Sequence, residues 1–190
     1  MAPIHAAACD ANVGALRRIL AEGVLPDAID VTFEGTPLHA LCKSEWGPGD
    51  RVACFKLLRD AGANLEARTG GHPQASTVLH FAAKGRTTIL SLLLEAGVNV
   101  NVTNSGGYTP LHWAAAGHIG VRRSTECVEL LLKAGAAVNV RSEIGSTPFA
   151  VALRRGDNRR MWPLFLRAGA EIPVPNNMSN TDPYILRVQS

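Results

Sequence analysis

Histidine and cysteine are the side chains here best suited to chemistry, and three of the six histidines, His39, His80 and His112, recur in a fixed setting. Imidazole titrates near neutrality and can act as a base, and a thiolate can attack carbon or bind zinc. His39 and Cys42 stand three apart, so a helix would place them on one face, and Cys54 could join them as a third metal ligand. A fourth ligand is missing. No nucleophile, base and orienting acid fall in one neighbourhood, and no glycine-rich loop could cradle a phosphate. The expectation is no enzyme and no cofactor, which leaves the recurrence of the histidines to be explained by structure.

Each histidine closes a short run: Thr36-Pro37-Leu38-His39, Thr77-Val78-Leu79-His80 and Thr109-Pro110-Leu111-His112. Thr147-Pro148-Phe149-Ala150 repeats the pattern without the imidazole. A threonine followed by proline is a helix start, because proline's missing N–H costs nothing at the first helical position. In the fullest copy, Gly107 to Asn139, Ala114, Ala115 and Ala116 extend that helix and let it lie close to a neighbour. Gly117 and Gly120 break it, and Val128, Leu131 and Leu132 recur at the spacing of a second helix that ends at Gly135. An extended Ala137-Val138-Asn139 leads out.

This unit resembles the ankyrin repeat, whose first helix opens on T-P-L-H. The resemblance spans nearly the whole chain, with repeats at about 3–30, 31–66, 67–101, 102–139 and 140–172, together an ankyrin domain over 1–173. It implies an all-α solenoid of about five helix-turn-helix repeats joined by β-hairpin-like loops. One repeat cannot bury its apolar face alone, so neighbours stack into a continuous core. The first copy, with His5 and Gly23, is degraded and reads as a cap, and Arg17, Arg18, Arg159 and Arg160 suit terminal units that face water on one side. Residues 174–190 lose the pattern and form a tail, in which Asp182-Pro183 would start a short capping helix; the chain stops there as a fragment of a larger protein would.

Length, at 190 residues, and 46% hydrophobic residues suit one buried core, and a net charge of +3 demands no polyanionic partner. No apolar run approaches the ~20 residues of a membrane helix and no leader is evident, so an intracellular, cytoplasmic or nuclear monomer with reduced cysteines is expected.

The repeats are unequal. From histidine to closing glycine the separation is 18, 23, 17 and 23 residues in the first four, which places enlarged inter-helix turns at Ser44–Arg51 and His118–Thr125. The hairpin before the third repeat is also long and should protrude at Thr69–Pro73.

The resemblance implies that the histidines tie helix starts to neighbouring backbone, and that a partner protein binds a concave groove of hairpin tips and first helices. Carried onto this chain, the groove comprises Phe33, Ser76, Tyr108 and Ile144 on the hairpins, with Lys43, Lys84, Arg154 and Arg155 at the first-helix ends. Trp46 in the enlarged turn joins them, as does Trp113, although Phe81 and Trp113 occupy a position the family often fills with framework hydrophobes. Central aromatics edged by cations suit a partner with an apolar anchor and acidic flanks. The alternative is an acidic non-protein ligand, nucleic acid or a phosphoinositide, bound along a basic edge of Lys43, Lys84, Arg86, Arg122, Arg123, Arg154 and Arg155. No stacking platform accompanies that edge, which argues against nucleic acid. Asn101 and Asn139 match hairpin asparagines that oxygen-dependent hydroxylases modify in ankyrin proteins.

Overall fold

The computed structural model describes residues 1–30, 34–43, 49–70, 75–117, 121–154 and 159–172, the side chains of 121–123 excepted. Phe33, Trp46, Arg155 and the tail from 174 lie outside that set, as do the side chains of Arg122 and Arg123.

Ten α-helices are present among the described residues: α1 (Pro3–Cys9), α2 (Val13–Ala21), α3 (Pro37–Lys43), α4 (Arg51–Asp60), α5 (Val78–Ala83), α6 (Thr87–Glu95), α7 (Pro110–Ala116), α8 (Val121–Lys133), α9 (Pro148–Arg154) and α10 (Trp162–Arg167). A single 3-10 turn, Arg159–Met161, leads into α10. They pair as five helix-turn-helix units. The first helices pack in sequence, α1 on α3, α3 on α5, α5 on α7 and α7 on α9, and the second helices stack beside them, α2 on α4, α4 on α6 and α6 on α8. The result is a two-layer α-solenoid.

Helical periodicity makes the layers. Leu38, Leu41, Leu79, Leu111 and Phe149 from the first helices and Leu16, Phe55, Leu58, Leu90, Leu93 and Phe165 from the second are all essentially inaccessible, and they form one continuous core. At its far end Phe149 and Phe165 stack with ring centres 5.5 Å apart. Four alanines of the first helices, Ala82, Ala83, Ala114 and Ala115, are wholly buried, because only a small side chain lets adjacent first helices approach so closely.

Second helices close on a glycine in the left-handed region, as at Gly135 with φ +85°. Beyond that glycine, a rung of side-chain bonds joins each unit to the next. The Asp27 carboxylate accepts from the Asn64 amide at 2.9 and 3.0 Å, and Glu66 accepts from Asn99 at 2.9 Å. Asn101 accepts from Ala137 at 2.7 Å and Asn139 from Glu171 at 2.9 Å. The two asparagines also donate to the carbonyls of Gly135 and Gly169.

The hairpins nest equally closely. Gly106 O accepts from Glu143 N at 3.0 Å, and a Cβ on Gly107, whose φ is +72°, would lie 2.9 Å from that same Glu143 nitrogen. Both strain and collision therefore oppose any side chain there. Gly107→Ala is expected to lower stability by about 1–3 kcal/mol, readable as an earlier midpoint in urea.

One expectation about the turns is overturned. In the fourth unit the extra residues do not all enlarge the turn: α8 begins at Val121, so 121–125 are helix. Ser124-Thr125-Glu126 has the composition of a helix cap, yet Ser124, Cys127, Val128 and Leu131 are all fully buried at helical spacing. Tertiary burial of that stripe carries the helix back past the apparent cap. In the second unit α4 does begin at Arg51, with Asp50 capping the Ala53 amide at 2.9 Å.

Candidate partner-binding face

The three TPLH histidines are lattice pins. In each, Nδ1 accepts from the threonine amide that starts its own helix, at 3.2, 3.2 and 3.0 Å for Thr36, Thr77 and Thr109. That leaves the proton on Nε2, which donates to a carbonyl of the following hairpin: His39 to Ser76, His80 to Tyr108 and His112 to Ser146, at 3.2, 2.9 and 2.9 Å. Burial disfavours the imidazolium and pushes His39 and His80 down to about 4, with the accepting carbonyl opposing only in part; His112 is lowered for the same reason. With both ring nitrogens of His39 committed, no lone pair is left for a metal shared with Cys42 and Cys54. Burial raises the Cys42 and Cys127 thiols to about 12, which removes them as nucleophiles.

Fixing the histidines fixes what stands beside them. The residues one and four places after each histidine, or after Ala150, share a helix face, giving Ala40 with Lys43, Phe81 with Lys84, Trp113 with Ala116, and Val151 with Arg154. Ala40 is buried, Phe81, Trp113 and Val151 are half-buried, and Lys43 and Arg154 are exposed. Phe81 meets His39 of the preceding unit and Trp113 of the following one edge to face, each at 5.4 Å, and Trp113 meets His80 in the same way. The Lys84 ammonium lies 4.2 Å from the centre of the Trp113 ring and 5.6 Å from that of Phe81. Burial, helped by the charge of Lys43, lowers its affinity for the proton.

The expected site residues divide accordingly. Lys43, Lys84, Trp113 and Arg154 lie on this shared face, with Arg154 Nη2 donating to Ser146 Oγ at 2.9 Å. Ile144 is 69% exposed at the tip of the last hairpin, where an apolar side chain has no packing role. Ser76 is a correction: it is buried, because His39 of the second unit and Asn104 of the next hairpin both reach its oxygens. Tyr108 is half-buried rather than exposed, its ring laid edge-on against His112 at 5.4 Å. The basic edge is also reduced. Arg86 is 8% exposed and its Nε donates to the Cys42 carbonyl at 3.2 Å, so it ties the third unit to the second instead of facing solvent.

Two residues that shape the face went unnoticed in the sequence. Val151 continues the apolar line into the fifth unit and is visible only once Ala150 is aligned with the histidines. Asn104 is buried, and its Oδ1 accepts from the Gly106 and Tyr108 amides at 3.0 Å each, which shapes the third hairpin. Its signal was a polar residue five places before the T-P-L-H threonine, matched by Ser142, whose Oγ accepts from Ser146 N.

Among known proteins, residues 49–142 match the family model described as ankyrin repeats, in three copies. The chain is 38% identical over 96 residues to protein phosphatase 1 regulatory subunit 12A of Mus musculus, a stretch covering 45% of this chain and 8% of that protein. It is 34% identical over 110 residues to palmitoyltransferase AKR1 of Kluyveromyces lactis, covering 57% of this chain and 14% of the enzyme. Similarity to putative ankyrin repeat protein FPV230 of Fowlpox virus is lower, 24% over 144 residues, but covers 60% of this chain and 74% of the viral one. The chain thus spans a small part of the mouse and yeast relatives.

Proposed function

Because this chain belongs to the ankyrin-repeat family, whose repeats are protein-interaction modules, we propose that it is a non-catalytic binder of a partner protein through the first-helix face and the hairpin tips beside it. The observation that carries this reading is Ile144, a large apolar side chain held 69% exposed on the hairpin whose Ser146 is bonded by the exposed Arg154, at a position the core does not need. Solvent-exposed apolar groups ringed by polar ones are where interfaces place their anchors.

His39, His80 and His112, locked as hydrogen-bonding pins, and Cys42 and Cys127, held protonated by burial, are poor reacting groups, which favours binding over catalysis. Ile144→Asp with Arg154→Glu should weaken capture of the partner from the native source by at least about tenfold, a loss of about 1.4 kcal/mol. Lys56→Glu, on the exposed side of α4, should leave it unchanged. Equal capture by both variants would exclude this face as the binding surface.

A further inference from the structure

All five first helices lack an acidic residue: PIHAAAC, PLHALCK, VLHFAA, PLHWAAA and PFAVALR. The cations at their ends are Lys43, Lys84 and Arg154; the acids nearest in sequence are Asp10, which ends α1, Glu45, which lies outside the described residues, and Glu34 and Glu143, which are exposed on the hairpins. Lys84 is unusual among these cations. Its ammonium is half-buried and rests on Trp113, and among the described residues no carboxylate pairs with it. A cation drawn out of water and given only a ring face is incompletely compensated, and a carboxylate delivered to it from outside would restore the missing charge where the dielectric is lower than in bulk.

We propose that this face takes an acidic peptide segment of the partner, with a carboxylate seated on Lys84 beside Lys43 and an aliphatic side chain laid along Phe81, Trp113 and Val151. The proposal rests on the partner-binding reading above and specifies the chemistry of that partner. Charge complementarity selects the acid. The apolar line selects a peptide rather than a polyanion, since Phe81 and Trp113 meet edge to face, Lys84 covers Trp113, and neither ring offers a bare platform on which a base could stack. Ala116 also interrupts the line of first-helix cations at the fourth unit.

The test is selection of a random displayed peptide library on the full chain, followed by affinity measurements on the enriched peptides. Asp or Glu next to an aliphatic residue should dominate. Lys84→Met, which keeps the stem over Trp113, should weaken those peptides at least about tenfold, Lys84→Arg should largely restore them, and Lys56→Met should have no effect, with thermal melts confirming that each variant folds. Neutral or basic peptides that still lose affinity on Val151→Asp would overturn this inference and leave the partner-binding face standing. Peptides indifferent to both Lys84 and Val151, or no enrichment at all, would count against both. Tighter binding of a single-stranded DNA oligonucleotide, with a steep salt dependence, would overturn the inference in favour of a polyanion.

Discussion

Leu111→Ala is expected to cost about 2–5 kcal/mol and to lower the melting temperature by roughly 5–15 °C. Leu111 is fully buried in α7, the first helix of the fourth unit, which packs against α5, α8 and α9 at once. Removing its side chain opens a void that the surrounding leucines can close only by shifting helices pinned through His80 and His112. Collapse is therefore hard, which puts the cost in the upper part of the range. Leu16→Ala removes an equally inaccessible side chain from α2 but should cost less, because a terminal unit loses one interface rather than two. A Leu111→Ala melt within about 2 °C of the wild type would contradict the shared-core account.

Mild acid should unfold the chain through the same histidines. His39 and His80 are held near 4 in the fold against 6.5 for a free imidazole, and His112 is displaced in the same direction. The unfolded chain therefore binds more protons between these values, so stability is fully present above about pH 6.5 and is lost as the pH falls toward 4. For His39 and His80 the loss at the acid end is on the order of 3 kcal/mol each. The discriminating window is pH 6.5 to 5, above the range where ordinary carboxylates titrate. There the urea midpoint should fall steadily, and His80→Gln should flatten the slope at the expense of stability at neutral pH. A midpoint independent of pH across that window would mean that the imidazoles are not buried as neutral acceptor–donor pins.

The recurring T-P-L-H runs and the glycine after each second helix made the architecture legible, because both are local signals: proline and threonine act on their own helix, and glycine on its own φ. Less legible was everything decided by the neighbouring unit. Ser76 looked like a hairpin residue open to solvent, but it is covered because His39, 37 positions earlier, reaches its carbonyl. Arg86 looked like one more cation at a helix end, yet it bonds a carbonyl 44 positions back. The start of α8 was hidden for a related reason, since Ser124 is helical by virtue of being buried and not by its own propensity. Lys43, Arg154 and Ile144 are exposed, since the surroundings of each are set mainly by its own helix or tip.

The rungs at Asp27, Glu66, Asn101 and Asn139 each cross a single seam, and the histidine pins do the same. Among the described residues no bond of either kind skips a unit or ties the first repeat directly to the last. Pulled from its ends, such a chain would not yield as a block: tension would concentrate on one seam at a time, peeling units away in series and letting each re-dock on its still-ordered neighbour when the load drops. Extension under force would then be set by the strength of one seam rather than by the stability of the whole.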